Sequence, residues 1–106
     1  MKIGIVLETK EDEKAWNAFR FGVKALGDDH TVRTFLLGEA VECEGVTGEP
    51  YDVAEQMKNF LEGGGQILAC GTCLRSRNME GSETCPVSTM QDLLDLVVWA
   101  DRVVNF

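Results

Sequence analysis

The chain has 106 residues and a mass of 11.7 kDa, which is room for one domain with its own core and not for a second. Its apolar fraction of 44% is ordinary for a globular protein. No apolar run approaches the roughly 20 residues of a membrane helix. A formal net charge of −8 repels phosphate backbones and argues against nucleic-acid binding; its plain reading is solubility.

Residues 2–8 read as a buried strand that starts at once. This opening lacks a long apolar stretch and a small-residue cleavage site. No signal peptide is expected, and the cytoplasm is the default location. Thr9 is placed to cap a helix, with Glu11, Asp12 and Glu13 in the first turn, where carboxylates suit the helix dipole. Ala15, Trp16, Phe19, Val23 and Leu26 follow at steps of three and four and share one face. Gly27 ends that helix, and Asp28-Asp29-His30 makes a turn.

Thr31 to Leu37 reads as the second strand, broken by Gly38. Glu39 to Pro50 reads as a long loop, of a length that is often functional. A helix is expected from about Tyr51 to Glu62, with Val53, Ala54, Met57, Phe60 and Leu61 inward and three glycines to stop it. Gln66 to Cys70 is short and apolar, as suits a central parallel strand. Gly71-Thr72 then turns into a short helix reaching about Asn78. Met79 to Pro86 reads as another loop, with room for one further short strand.

Ser88, with Gln91 three residues on, gives a capping-box pattern for the last helix. Met90, Leu93, Leu94, Val97 and Ala100 form its expected buried stripe. The apolar segment Leu93 to Trp99 is broader than one stripe, which predicts that part of it is buried between subunits. Arg102 to Phe106 reads as the final strand. Strands alternate with helices throughout. That order implies right-handed crossovers and a largely parallel sheet with helices on both faces.

In such a sheet, sites form beyond the carboxyl ends of the strands. The segments expected there are Glu8-Thr9, Gly38 through Cys43, and Cys70-Gly71-Thr72-Cys73. Two or three of the four cysteines thus meet at one edge. Cys70 sits where a strand hands over to a helix. The helix start and the nearby Arg75 and Arg77 should lower its thiol pKa. Gly71 lets the chain turn and leaves the sulfur open. Cys70 is therefore a candidate nucleophile or persulfide carrier. Cys73, three residues on, is within disulfide range and is a candidate redox or resolving thiol.

Cys43 and Cys85 fall in loops, and Cys85 has a path toward Cys70. Four thiolates are a conceivable zinc or iron–sulfur set, but structural zinc sites usually show two CxxC knuckles and this chain has one. No resident metal or cofactor is expected. His30, the only histidine, falls on the sheet edge opposite Cys70, so a Cys–His hydrolase within one chain is not expected. Gly63-Gly64-Gly65 precedes a strand, whereas phosphate loops follow one. Trp16, Phe19, Trp99 and Phe106 read as core or interface residues.

The opening KIGIVLE, the segment TFLLGEAV, the block ILACGTCLRSRN and the ending ADRVVNF together resemble the DsrE/DsrF-like family, which includes sulfur-relay subunits. The third block is the most specific. The resemblance implies a three-layer αβα sandwich with a mostly parallel, five-stranded sheet. It implies homo- or hetero-oligomers, typically trimers or hexamers. It also implies a persulfide on a cysteine after a central strand, the position that Cys70 matches. Thr9, Gly38, Cys43, Gly71, Thr72, Arg75 and Cys85 are the expected surroundings of Cys70 and Cys73. Three readings stand at this point: a persulfide carrier exchanging sulfur with donor and acceptor proteins, a cysteine-ligated metal or cluster module, and an oligomeric small-molecule-binding or regulatory protein whose cysteines are incidental.

Overall fold

A computed structural model describes residues 1–106. Three apolar strands make the middle of the sheet: β1 (Lys2–Leu7), β2 (Thr31–Leu36) and β3 (Gln66–Cys70). Two short strands close it, β4 (Val87–Ser88) and β5 (Arg102–Asn105). Every pairing is parallel and the order is β4-β3-β2-β1-β5. Parallel pairing requires crossovers, and the helices α1 (Asp12–Gly27), α2 (Val53–Glu62) and α4 (Met90–Trp99) supply them. The five-residue helix α3 (Gly71–Arg75) follows β3 directly. No helix is long and apolar enough to cross a membrane.

Alternation along β1 distributes the helices. Ile5 approaches Gly22 of α1, whereas its neighbour Gly4 lies against Leu96 of α4 and Ala100 just after it. Helices therefore cover both sheet faces, and the architecture is a three-layer αβα sandwich. The core of 22 buried residues is richest between the sheet and the α1–α2 pair. Phe19 and Phe60 meet there edge to face, with ring centroids 5.7 Å apart.

Several local expectations need correction. Glu11, not Thr9, caps α1: its carboxylate accepts from the Glu13 and Lys14 N–H groups. Thr9 Oγ1 accepts from Glu11 N–H, one step earlier. The stretch read as a long loop is largely a 3-10 helix over Gly38–Gly45, with Ala40, Val41 and Cys43 buried. α2 starts at Val53 behind an Asp52 cap. Thr89 and Asp92 form the capping box of α4 in place of Ser88 and Gln91. Ser88 lies one residue too early because it belongs to β4, the short strand, which follows rather than fills 79–86.

The stripe expected on α4 is also displaced. Its one fully buried residue is Leu96, while Met90, Leu94 and Val97 are exposed and Leu93 and Ala100 are half-buried. α4 packs chiefly on β1 and leaves much of its apolar surface uncovered.

One core position carries a polar atom without a partner. Thr34 on β2 is fully buried and its Oγ1 makes no hydrogen bond. An unsatisfied buried hydroxyl costs on the order of 1–3 kcal/mol. Thr34→Val keeps the branched shape and removes that hydroxyl, so a higher midpoint in thermal unfolding is expected. A lower midpoint would mean the hydroxyl has a partner after all.

Candidate functional site

The site begins where β3 becomes α3. Cys70 is the last residue of the strand and the cap of the helix, and its Sγ accepts from Cys73 N–H at 3.4 Å. One helical turn brings the second thiol back, and the Cys73 thiol donates to Cys70 Sγ at 2.8 Å. The two sulfurs are thus in direct contact. Both are free thiols, Cys70 only 6% exposed and Cys73 half-buried.

The neighbouring strand supplies the next contact. Gly38 follows the end of β2 and its N–H donates to Cys73 Sγ at 3.2 Å. Its φ of +56° is left-handed, which a side chain other than glycine resists. Glycine here turns the chain so that the N–H faces the sulfur. Gly71 is constrained by space instead, since a Cβ there would come within 3.0 Å of Ser88 O on β4.

Cys70 opens on a cleft of about 160 Å³ whose walls include Gly71, Thr72, Arg75, Ser88 and Met90. Arg75 donates to Thr72 Oγ1 at 3.3 Å. Cys73 does not line this cleft. The two cysteines therefore touch each other, and of the pair only Cys70 lines this cleft.

The expected depression of the Cys70 thiol is not found. Burial pushes it up, and the bond from the Cys73 thiol adds to that; the backbone N–H groups of Cys73 and Thr72 pull the other way without prevailing. The arginines are engaged elsewhere. Arg77 pairs with Glu42 at 3.1 Å and donates to the Cys73 carbonyl, while Arg75 serves Thr72. Lys10, with Arg77 beside it, in turn holds the Glu42 carboxyl below its ordinary range.

Cys43 and Cys85 stand apart from that pair. Cys43 is fully buried and donates to Thr9 O at 3.6 Å. Burial pushes its thiol up to about 12, with a further contribution from Cys85. Cys85 is 3% exposed, and burial, then Glu44, raise it to about 12 as well. Neither bonds to the Cys70–Cys73 pair. No three His, Cys, Asp or Glu side chains are grouped so that they could hold a metal ion. The cysteine-ligated metal reading therefore finds no assembled ligand set.

Thr9, Gly38 and the 3-10 helix do gather at the carboxyl edge with Cys70, Gly71, Thr72 and Arg75, while His30 lies at the opposite edge, its Nδ1 2.7 Å from the Met1 nitrogen. Sequence reading missed the bond from Gly38 N–H to sulfur, although a glycine directly after an apolar strand was a usable signal. It also missed Ser88 and Met90 as cleft walls, which nothing local marks.

Fold and site together define a class: a parallel αβα domain with a contacting dithiol at the carboxyl edge of its sheet. The DsrE/DsrF-like family model matches residues 1–106, and the chain belongs to that family, which includes sulfur-relay proteins. It is 33% identical over 100 residues to the uncharacterized protein MJ0989 of Methanocaldococcus jannaschii, covering 89% of this chain and 88% of that one. It is 30% identical to the uncharacterized protein MK0008 of Methanopyrus kandleri over 89% of this chain and 83% of that one. The crystal structure of the ychN protein from E. coli superposes with a TM-score of 0.87 at 22% identity, over 100% and 99% of the two chains. A protein of unknown function from Bacteroides thetaiotaomicron, BT1422, gives 0.78 at 15% identity, over 99% and 94%. The two structural likenesses bear on the fold.

Proposed function

We propose that this chain is a cytoplasmic sulfur carrier that holds sulfane sulfur as a persulfide on Cys70. The observation that carries the reading is Cys70 in the lining of a cleft, its sulfur in contact with a second thiol. The family supports it. In the loading step the Cys70 thiolate attacks the terminal sulfur of a donor persulfide. A bond forms between Cys70 Sγ and that sulfur, the donor's S–S bond breaks, and the donor leaves as a thiolate that takes up a proton. Delivery is the same exchange in reverse, with an acceptor protein's thiolate attacking the outer sulfur. Thr72, Arg75 and Ser88 surround the space that sulfur enters.

The test is the intact mass of anaerobically purified protein after incubation with inorganic polysulfide. The wild type gains a sulfur adduct that a reductant removes, and Cys70→Ser does not. Equal adducts in both proteins overturn the assignment.

The uncovered face of α4 is assigned to a second copy of the chain, in a homo-oligomer of trimeric or hexameric order. Met90, Leu94 and Val98 are 64%, 54% and 77% exposed and recur every four residues on this one helix, and grouped exposed apolar side chains are what an interaction surface presents. Val98→Asp puts a charge on that face without touching the monomer core. A lower oligomeric order is expected in light scattering; a wild type that is monomeric at micromolar concentration overturns the assignment.

A further inference from the structure

We infer that Cys73 discharges the Cys70 persulfide within the chain, releasing hydrogen sulfide and leaving a Cys70–Cys73 disulfide. The inference rests on the carrier reading and adds an activity to it. Its basis is that Cys70 meets two different neighbours, a cleft that Cys73 does not line and the Cys73 thiol itself. The cleft is lined by Cys70 and not by Cys73, so the space for an outer sulfur lies beside Thr72, Arg75 and Ser88. Cys73 Sγ is 2.8 Å from Cys70 Sγ itself. The sulfur within reach of Cys73 is therefore the inner one, and the outer sulfur is the leaving group.

The step balances. Cys73 gives up its proton and its thiolate attacks Cys70 Sγ. The Cys70–Cys73 S–S bond forms as the bond to the outer sulfur breaks. The outer sulfur leaves with the bonding pair as hydrosulfide. Cys73 Sγ is oxidised to the disulfide level, Cys70 Sγ stays at that level, and the outer sulfur is reduced to sulfide. The persulfide is the oxidant, so no other is needed. A disulfide S–S bond is about 2.05 Å long, so the sulfurs have less than about 1 Å to close. Gly38 N–H, at 3.2 Å from Cys73 Sγ, donates toward the charge that develops there before the attack. Holding both groups in one chain removes the encounter cost that an external thiol meets.

A carrier built this way holds its cargo for a limited time. An acceptor that arrives first takes the outer sulfur; otherwise the chain releases sulfide and stays oxidised until a dithiol reduces it. This reading gives Cys73 a chemical role distinct from that of Cys70.

The experiment loads wild type, Cys73→Ser and Cys73→Ala anaerobically with inorganic polysulfide, removes the excess, and follows sulfide and intact mass with time. In the wild type the sulfur adduct is expected first. It then decays to a species two hydrogens lighter than the reduced protein, with one sulfide per chain and two thiols lost to alkylation. In the Cys73 variants the adduct persists and sulfide release falls to background. A stable wild-type adduct with no sulfide overturns the discharge step and leaves the carrier reading standing. Release at the wild-type rate from both variants also overturns it. Variants that show native circular dichroism and never gain the adduct overturn the carrier reading itself.

Discussion

Cys70→Ser is expected to abolish sulfur loading while leaving the fold intact. A hydroxyl is no nucleophile toward sulfane sulfur at neutral pH, so the loss is chemical. The fold argument is specific to this position. Cys70 caps α3 by accepting Cys73 N–H, and serine is among the preferred residues for that role. The variant thus keeps the local hydrogen bond that orders the turn. Native circular dichroism with no sulfur adduct is the expected pair of results.

The wild-type rate carries a second signature. Because burial raises the Cys70 thiol, the reactive thiolate is a minor species at neutral pH. Loading should accelerate about tenfold per pH unit through the neutral range and keep rising past the ordinary thiol pKa. A rate that levels off near pH ~7 would show a depressed thiol, contrary to the burial described here.

Phe60→Ala is expected to be the most destabilising single truncation. Phe60 is fully buried, its ring lies edge-on to Phe19, and Gly22 and Gly65 pack so closely that a Cβ on either would collide with it. Removing the ring leaves a cavity between α1 and α2 that backbone on both sides holds open. Such truncations cost about 3–5 kcal/mol. A domain of this size has a total stability of about 5–15 kcal/mol, so about a fifth of it or more goes. Each kcal/mol is worth about 4–8 °C in a domain of up to 100 residues. A fall of ten degrees or more in the melting midpoint is expected; a fall within experimental scatter would mean that the α1–α2 layer is not packed on this ring.

The parallel sandwich was legible because its signals are local and repeated. The apolar runs at Ile3–Leu7 and Ile67–Ala69 and the 3.6-residue period in α1 each point to one element type. The edge bearing the site followed from topology, since parallel strands put Cys70 and Gly38 at the same end. Thr9 and Ser88 were misplaced as caps because each stands one or two residues from a better-placed cap, and tertiary packing decides which carboxylate or hydroxyl meets the free N–H groups. The thiol shift of Cys70 was misread because a helix start is visible in sequence and the burial opposing it is not. The distance between the two sulfurs, and the lining of the cleft by one cysteine and not the other, belong to the folded chain alone.

The two outer strands limit how far the sheet can be extended by another chain. β4 contributes Val87 and Ser88 and nothing more, and β5 on the far side contributes four residues, an arginine among them. A sheet edge is a template for an incoming strand only when it offers a row of unpaired backbone groups. Beside the dithiol that row is two residues long, too short to register a strand from another chain. Growth by sheet extension is blocked on the side of the Cys70–Cys73 pair, so the cleft beside it stays clear of an added strand's backbone.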